Sequence, residues 1–265
     1  MRILIPGGSG LVGSAAIPYL LSQGHDIMVL THRKTVKNNL NFPSNIKVFK
    51  LGEPLPTTDA IINLSGAKIS SLPLTKGRIN TLLNSRLQII NYLKEAYTES
   101  CNKIFFLQAS ASGIYANGDN KTIANSIYSK LCQRIESEAF TSFKHCASLR
   151  LGVVVGSNGG LVSLLRFLPK IQFIGARNYV PYIKNEDLAR ALNFILTHAL
   201  TGNIDLVSDK FLQVNELLSL CQKDHFGPKF YIPKFVLKLD KRGALLLADQ
   251  KILPQRLLDK GFNFT

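Results

Sequence analysis

The chain has 265 residues, of which 46% are hydrophobic and 18% charged, so it can bury a full core and is not expected to be disordered. Its formal net charge is +15, but Lys and Arg are spread along the sequence without a basic run, which argues against a specific nucleic-acid partner. Cys101, Cys132, Cys146 and Cys221 form no CxxC pair and no zinc-like spacing with His, which predicts no metal site and favours a reduced, cytoplasmic setting.

Nothing in the sequence predicts a membrane association. No apolar run approaches the roughly 18 residues that a membrane span needs. The first residues, MRILIPGG, run directly into a strand pattern without the apolar region of a secretory signal.

Short β-rich runs alternate with helical patterns over the first 156 residues, which predicts a parallel sheet with helices on both faces. The predicted strands are 2–5, 26–31, 46–51, 59–65, 103–110 and 147–156. The predicted helices are 11–22, roughly 75–98, and one that carries Tyr128 and ends near residue 143.

From about residue 160 the pattern becomes more helical and is interrupted by five prolines. We therefore predict a dinucleotide-binding domain of Rossmann type, a doubly wound α/β fold, over residues 1–160. A small, mostly helical lobe on the substrate side is predicted over 161–265. The boundary is soft, because such lobes often share strands with the main domain.

The clearest motif is PGGSGLVG, residues 6–13, which fits both GxGxxG and GxxGxxG. Gly7 permits a tight turn out of the strand, Gly10 lets the backbone approach a pyrophosphate, and Gly13 lets the helix pack close to the sheet. Leu11 and Val12 open that helix, whose free N–H groups favour phosphate. The motif follows a strand and opens a helix, which is the context that a dinucleotide site requires.

The second predicted strand ends in VLTHRKT, without the acidic residue that usually holds the ribose of NAD. Arg33 or Lys34 is suited to pairing with a 2′-phosphate, and Thr31 or His32 to hydrogen-bonding it. The sequence therefore favours NADP as the cofactor over NAD.

These residues make the chain resemble the extended short-chain dehydrogenases/reductases, and more narrowly the "epimerase family" proteins, also labelled cell-division-inhibitor-like. The resemblance spans nearly the whole chain, and its final segment is specific to that subfamily's C-terminal lobe. The matching segments are GGSGLVGSAAIPYLLSQGHDIMVLTHR, DAIINLSGAKI, LNSR (83–86), QASASGIY (108–115), LRLGVVVGSNGG (149–160), VPYIKNEDLARA (180–191) and ADQKILPQRLLDKGFNF (248–264).

The resemblance implies cofactor contacts from Leu64, Ser65 and Gly66 after the fourth strand, from Arg86 on the long helix, and from Val153 near the nicotinamide. The chain departs from the family where a substrate would lie. It has Leu74, Tyr182 and Lys184 where the family usually has Trp, Trp and His, and it contains no Trp at all.

The stretch YSKLC places Tyr128 where a short-chain dehydrogenase has its catalytic tyrosine, but Cys132 replaces the lysine of YxxxK. Lys130 points to a different helix face and cannot substitute for it. Tyr128 is therefore interpreted as core or pocket lining in preference to a proton donor.

Ser110 is the preferred catalytic candidate, because it ends a buried strand at the edge where open parallel sheets bind ligands. Tyr115 matches a family tyrosine and is predicted to line the nicotinamide pocket or to donate a proton. The alternative is that Ser110 only satisfies backbone groups of a loop.

Two functions follow from these features. The first is an NADP-dependent oxidoreductase or epimerase-like protein acting on a small carbonyl or sugar-nucleotide-like substrate, as a monomer or homodimer. The second is a catalytically weak NADP-binding regulator or sensor, which the missing Tyr–Lys pair favours.

Overall fold

The structure is a computed structural model that describes residues 1–31, 42–43, 46–68, 75–156, 162, 165, 169–222, 227–238 and 244–265.

A seven-stranded sheet forms the centre of the fold, and every neighbouring pair of its strands is parallel. Its strands are β1 (Arg2–Pro6), β2 (Asp26–Thr31), β3 (Lys47–Lys50), β4 (Ala60–Asn63), β5 (Phe105–Ala111), β6 (His145–Leu151) and β11 (Gly202–Leu206). Their order across the sheet is β11-β6-β5-β4-β1-β2-β3.

The two faces of this sheet are covered by α1 (Leu11–Ser22), α2 (Lys76–Ala96), α3 (Ile127–Ser142) and α4 (Asn185–Thr197). Two further helices, α5 (Val214–Cys221) and α6 (Ala244–Leu247), pack in a separate cluster of the C-terminal region, and α7 (Gln255–Asp259) lies near the end of the chain. One core joins α1 and α4 to the sheet through residues such as Ile17 and Leu192, and the opposite core joins α2 and α3 through residues such as Ile90 and Ile135. The doubly wound α/β fold predicted from the sequence is thus confirmed.

The strand order reverses between β1 and β4, which lie side by side although β2 and β3 separate them in the chain. Ligands of open α/β sheets bind at such a switch point, outside the carboxyl ends of the strands. The glycine motif leaves β1 at this edge, and the turn of residues 64–66 leaves β4 beside it.

The predicted strand 147–156 is two strands in the structure, because the chain leaves the central sheet at Gly152. The segment up to Leu151 pairs with β5 and β11, whereas β7 (Val153–Val155) pairs with β10 (Tyr182–Lys184). A Cβ placed on Gly152 would lie 2.8 Å from the Pro181 carbonyl, so this crossing needs a residue without a side chain.

The region after residue 160 contains strands as well as helices. β8 (Lys170–Ile174) pairs with β13 (Lys229–Pro233), and β9 (Tyr179–Val180) pairs with β12 (Leu212–Gln213). Two of its elements belong to the main layers, since β11 extends the central sheet and α4 packs against α1. The boundary at residue 160 stays a prediction.

Candidate functional site

The loop between β1 and α1 is held close to β4 by glycines. Gly7 has φ +78° and donates its N–H to the Leu30 carbonyl at 3.1 Å. A Cβ there would lie 2.7 Å from the Ser65 nitrogen, and one on Gly13 would lie 2.2 Å from the Gly8 carbonyl oxygen. The backbones therefore approach to a distance that only glycine permits, which is the geometry of a phosphate cradle.

Helix α1 begins at Leu11, within the glycine motif. Its N-cap, Gly10, is exposed and forms no side-chain cap, so the first N–H groups of the helix are free to bind an anion. Leu11 is half-buried at the mouth of the cradle, and Val12 packs on the core beneath it. The predicted residues of the motif thus lie together and fit the pyrophosphate of a dinucleotide.

The residues predicted to give a preference for NADP over NAD are Thr31, the last residue of β2, and the three residues that follow it in the sequence. Thr31 is 6% exposed and closes that strand. His32, Arg33 and Lys34 lie outside the described residues, so the predicted contact with a 2′-phosphate stays a prediction.

A buried amide network shapes the turn after β4. Asn63 donates to the Gln108 side-chain oxygen at 2.8 Å, and its own side-chain oxygen accepts the Ser65 hydroxyl at 2.6 Å. Leu64 donates its N–H to the Pro6 carbonyl, and Gly66 follows with φ +149°. The turn of residues 64–66 is therefore fixed against the glycine cradle, and its predicted contacts with a cofactor stay a prediction.

Arg86 reaches this turn from α2. Its guanidinium donates to the Leu82 carbonyl at 2.9 Å and lies so close to Gly66 that a Cβ there would be 2.6 Å from its Cζ. Burial, together with the nearby charge of Arg78, lowers the pKa of Arg86. Among the residues that the structure describes, no carboxylate forms an ion pair with Arg86. Its charge is thus available to an anionic ligand at the turn.

Ser110 lies at the carboxyl end of β5, where its hydroxyl is 2.7 Å from Oε1 of Glu136 on α3. Glu136 forms a two-point ion pair with Arg150, with distances of 3.0 Å to Nε and 2.7 Å to Nη2. Burial of the guanidinium opposes its charge, but the hydrogen bonds to Glu136 and Tyr115 outweigh that effect and raise the pKa of Arg150. Both partners of the pair are buried.

Tyr115 is 5% exposed, and both hydrogen-bonding directions of its hydroxyl are occupied. The hydroxyl accepts from Nη1 of Arg150 at 2.7 Å and donates to Asp205 at 2.8 Å. Burial, with the charge of Asp205, raises the pKa of Tyr115 well above its ordinary value. The predicted proton transfer by Tyr115 stays a prediction, and it would first require this network to open.

Cys132, at the position of the missing lysine, is 5% exposed and packs among Ile114, Val207 and Ile252. Burial raises its pKa, and both Ser110 and Arg86 are near enough to influence it. Tyr128 is half-buried one turn earlier on α3, whereas Lys130 is exposed. Lys130 therefore does not replace the lysine absent from YxxxK.

Val153 lies where the chain crosses out of the central sheet, half-buried and paired with Tyr182 of β10. This pairing places it on the side of the C-terminal region. Its predicted contact near the nicotinamide stays a prediction.

Five polar residues of this site were not predicted from the sequence: Asn63, Gln108, Glu136, Arg150 and Asp205. Two of them carried a usable signal. Arg150 interrupts the apolar pattern of a buried strand, and Glu136 follows Cys132 by one helical turn. Buried charges are rarely left unpaired, so the two could have been matched.

The described part of the chain contains no group of three or more His, Cys, Asp or Glu side chains that could hold a metal ion. Within the same residues, no helix combines the length and the apolar character needed to cross a membrane.

A parallel sheet with a glycine cradle at its switch point defines a nucleotide-binding α/β protein of Rossmann type. A model of the NAD dependent epimerase/dehydratase family matches residues 3–204, and the chain belongs to this family of NAD(P)-binding proteins.

Its relatives include the mouse protein named epimerase family protein SDR39U1, which is 27% identical, with 100% of this chain and 96% of the mouse protein covered. Another is the epimerase family protein YfhF of Bacillus subtilis, which is 24% identical over 100% of this chain and 94% of its own length. The predicted family resemblance is thereby confirmed.

Two solved structures share the fold over almost their full lengths. Human epimerase family protein SDR39U1 (isoform 2) with NADPH has a TM-score of 0.83 and 21% identity, covering 100% of this chain and 95% of its own. UDP-glucose 4-epimerase of Thermus thermophilus in complex with NAD has a TM-score of 0.74 and 20% identity, covering 99% of this chain and 94% of its own.

Proposed function

We propose that this protein binds NADP and acts as an oxidoreductase or epimerase-like protein on a small carbonyl or sugar-nucleotide-like molecule. The observation that carries the proposal is the shared edge of the sheet, where the glycine cradle, the turn of residues 64–66 and Ser110 meet. Bound NADP supplies or accepts a hydride at its nicotinamide. The chain's own residues bind the phosphates and orient the small molecule beside them.

The choice of NADP rests on charge. The residues after β2 offer Arg33 and no carboxylate, and the solved relative from human was obtained with NADPH. Arg86 adds a cation beside Gly66 that is not neutralised by any described carboxylate. A cation beside the turn of residues 64–66 and a basic residue after β2 in the sequence both favour a cofactor that carries an additional phosphate.

Calorimetry with NADPH and NADH tests the cofactor choice. We expect NADPH to bind at least about tenfold tighter, which corresponds to about 1.4 kcal/mol, and Arg33→Ala to remove most of that preference. Arg86→Ala should weaken both cofactors equally. Arg134→Ala, which removes an exposed cation on α3, is the matched control and should change neither affinity. Equal affinities in the wild type would refute the NADP assignment.

A second candidate function, a regulator or sensor with little turnover, is favoured by two observations. The hydroxyl of Tyr115 is held between Arg150 and Asp205, and Cys132 stands in place of the lysine. NADPH oxidation with a panel of aldehydes and ketones, and NADP reduction with the corresponding alcohols, separates the two functions. Tight NADPH binding without turnover on the whole panel would select the sensor.

A further inference from the structure

The two-stranded sheet of β8 and β13 has one closed edge and one open edge. On the closed edge, side chains of α5 take the place of a strand: Asn215 accepts the Phe173 N–H at 2.8 Å and donates to the Phe173 carbonyl at 3.0 Å. The side-chain oxygen of Gln222 accepts the Ile171 N–H at 3.2 Å in the same way. On the other edge, no residue within the described ranges bonds to the outer side of β13. An unpaired edge of this kind is a template for a further strand.

The alternation of the backbone decides which groups lie on the open edge. Phe173 turns its N–H and C=O toward Asn215, so its neighbour Gln172 turns the same groups toward β13. Gln172 lies level with Tyr231, and in a parallel ladder a residue bonds to the two positions that flank its partner. Tyr231 consequently directs its own N–H and C=O outward, to the open edge.

Large apolar side chains of this strand are also uncovered. Phe230 is 52% exposed and Tyr231 is 64% exposed, and Phe235, in the 3₁₀ turn Lys234–Lys238 that follows, is 63% exposed. Phe230 lies on the same face as Ile232, which packs against the apolar cluster of α5, but that cluster does not include Phe230. Adjacent exposed aromatic residues on both faces of one strand mark an interaction surface.

The surroundings of the open edge are basic. Segments 169–178 and 227–238 contain five Lys or Arg residues and no Asp or Glu. Lys229 lies level with Lys170 in the parallel register, so two like charges stand side by side. In the part of the chain that the structure describes, no carboxylate forms an ion pair with Lys170, Lys229 or Lys234. These lysines therefore favour a negatively charged group beside β13.

The charge and the open edge together distinguish the possible occupants. A second copy of this chain would bring the same lysines against one another, and lysines on an edge strand oppose such pairing. A lipid surface would meet the aromatic side chains and the lysines, but it offers no backbone to bond the N–H and C=O of Tyr231. An extended acidic peptide satisfies the backbone, the apolar side chains and the charge at once.

We propose that the open edge of β13 binds an extended acidic segment of another protein by strand addition. Alternate residues of a strand face opposite sides, so the apolar side chains of the segment lie beside Phe230 and its carboxylates lie beside Lys229 and Lys170. This inference goes beyond the proposed function and does not depend on cofactor binding.

Three synthetic peptides test the proposal by fluorescence anisotropy with the full chain. The first alternates valine with glutamate, the second alternates valine with lysine, and the third is the first peptide with every backbone amide N-methylated. We expect the first to bind, and the second and third to bind at least about tenfold more weakly. The second lacks the complementary charge, and the third has no N–H to donate to β13.

Reversing one charge of the edge sharpens this test. Lys229→Glu should weaken the glutamate peptide about fivefold, the upper end of what an exposed ion pair contributes, and should strengthen the lysine peptide. The opposite changes for the two peptides cannot come from loss of folding. Lys144→Glu, which reverses an exposed charge outside this sheet, is the matched control and should change neither affinity.

Hydrogen exchange measured by NMR locates the bound peptide. With the glutamate peptide at saturation, the Tyr231 amide should exchange at least about tenfold more slowly, because it gains an acceptor. The amide of Phe230, which faces β8, should change less. Protection confined to another part of the chain would refute the proposal.

Four further results would overturn it. They are equal affinities for the glutamate and lysine peptides, undiminished binding of the N-methylated peptide, no binding of any peptide, and equal effects of Lys229→Glu and Lys144→Glu. Phosphatidylglycerol vesicles that retain the wild type but not Phe230→Ser, when no peptide binds, would assign the surface to a membrane. A concentration-dependent dimer in sedimentation that Phe230→Ser abolishes would assign it to a second copy of the chain.

Discussion

The two halves of the site are built by different physical means. The cradle at residues 7–13 is a backbone structure, in which glycines allow the chain to approach itself and the start of α1. The region around Ser110 is a side-chain structure, in which Glu136, Arg150, Tyr115 and Asp205 hold one another across four elements. The first half offers backbone N–H groups to an anion, whereas the second consists of buried side chains that satisfy one another.

This difference predicts where each half is vulnerable. The cradle fails when volume is added, because its contacts are between backbone atoms that cannot move apart. The polar network fails when charge is removed, because its partners are buried and cannot turn to water. The comparison is therefore tested by two kinds of variant: those that add volume to the cradle, and those that remove a charge from the polar network.

The largest expected effect is the loss of one partner of the buried ion pair. Glu136→Ala leaves the Arg150 guanidinium buried without its carboxylate, and we expect the free energy of unfolding to fall by about 3–5 kcal/mol. Urea denaturation measures it. The matched control is Glu138→Ala on the same helix, which breaks the more exposed pair with Arg134 and should cost about 0.5 kcal/mol. Similar losses for the two variants would contradict the comparison.

A smaller effect on stability, with a large effect on binding, is expected when a methyl group is added to the cradle. Gly13→Ala places a Cβ 2.2 Å from the Gly8 carbonyl oxygen, so α1 must shift. We expect a cost of about 1–3 kcal/mol in the free energy of unfolding and at least about tenfold weaker NADPH binding.

Gly77→Ala controls for this change. Gly77 lies in the first turn of α2 with open space around it, and alanine there should stabilise the protein by up to about 1 kcal/mol. Unchanged NADPH affinity in Gly13→Ala would show that the cradle does not hold the cofactor.

The smallest expected effect concerns pH and the buried thiols, which lie outside both halves of the site. Burial raises the pKa of Cys146 to about 12 and that of Cys221 to about 11, from 9.0 in the unfolded chain. Because the folded-state values are raised, this contribution to stability is complete below pH 9 and is lost as pH rises further. We expect about 1 kcal/mol of lost stability for each thiol between pH 8 and pH 10.

Urea denaturation checks this prediction. The free energy of unfolding is measured at pH 8 and at pH 10 for the wild type and for the double variant Cys146→Ala, Cys221→Ala. The double variant should lose about 2 kcal/mol less between the two pH values, whatever its stability at pH 8. Identical slopes for the wild type and the double variant would contradict it.

The sequence by itself determined the doubly wound sheet, the cradle and the family. These features depend on local patterns: β-rich runs that alternate with helices, and glycines at a spacing that only one kind of turn requires. Local patterns also predicted the strands, except at Gly152. There the single predicted strand 147–156 is divided between two sheets, because the distant segment at Pro181 packs against Gly152.

Only the tertiary structure decided which polar side chains meet around Ser110. Glu136, Arg150 and Asp205 are up to 69 residues apart in the chain, and sequence patterns do not show which buried charge meets which. The sequence placed Ser110 at the carboxyl edge of the sheet, but its contacts with a carboxylate contributed by α3, and through it with a guanidinium contributed by β6, appear only in the folded chain. Such contacts are set by the packing of helix on sheet, where a buried charge is stable only beside its partner.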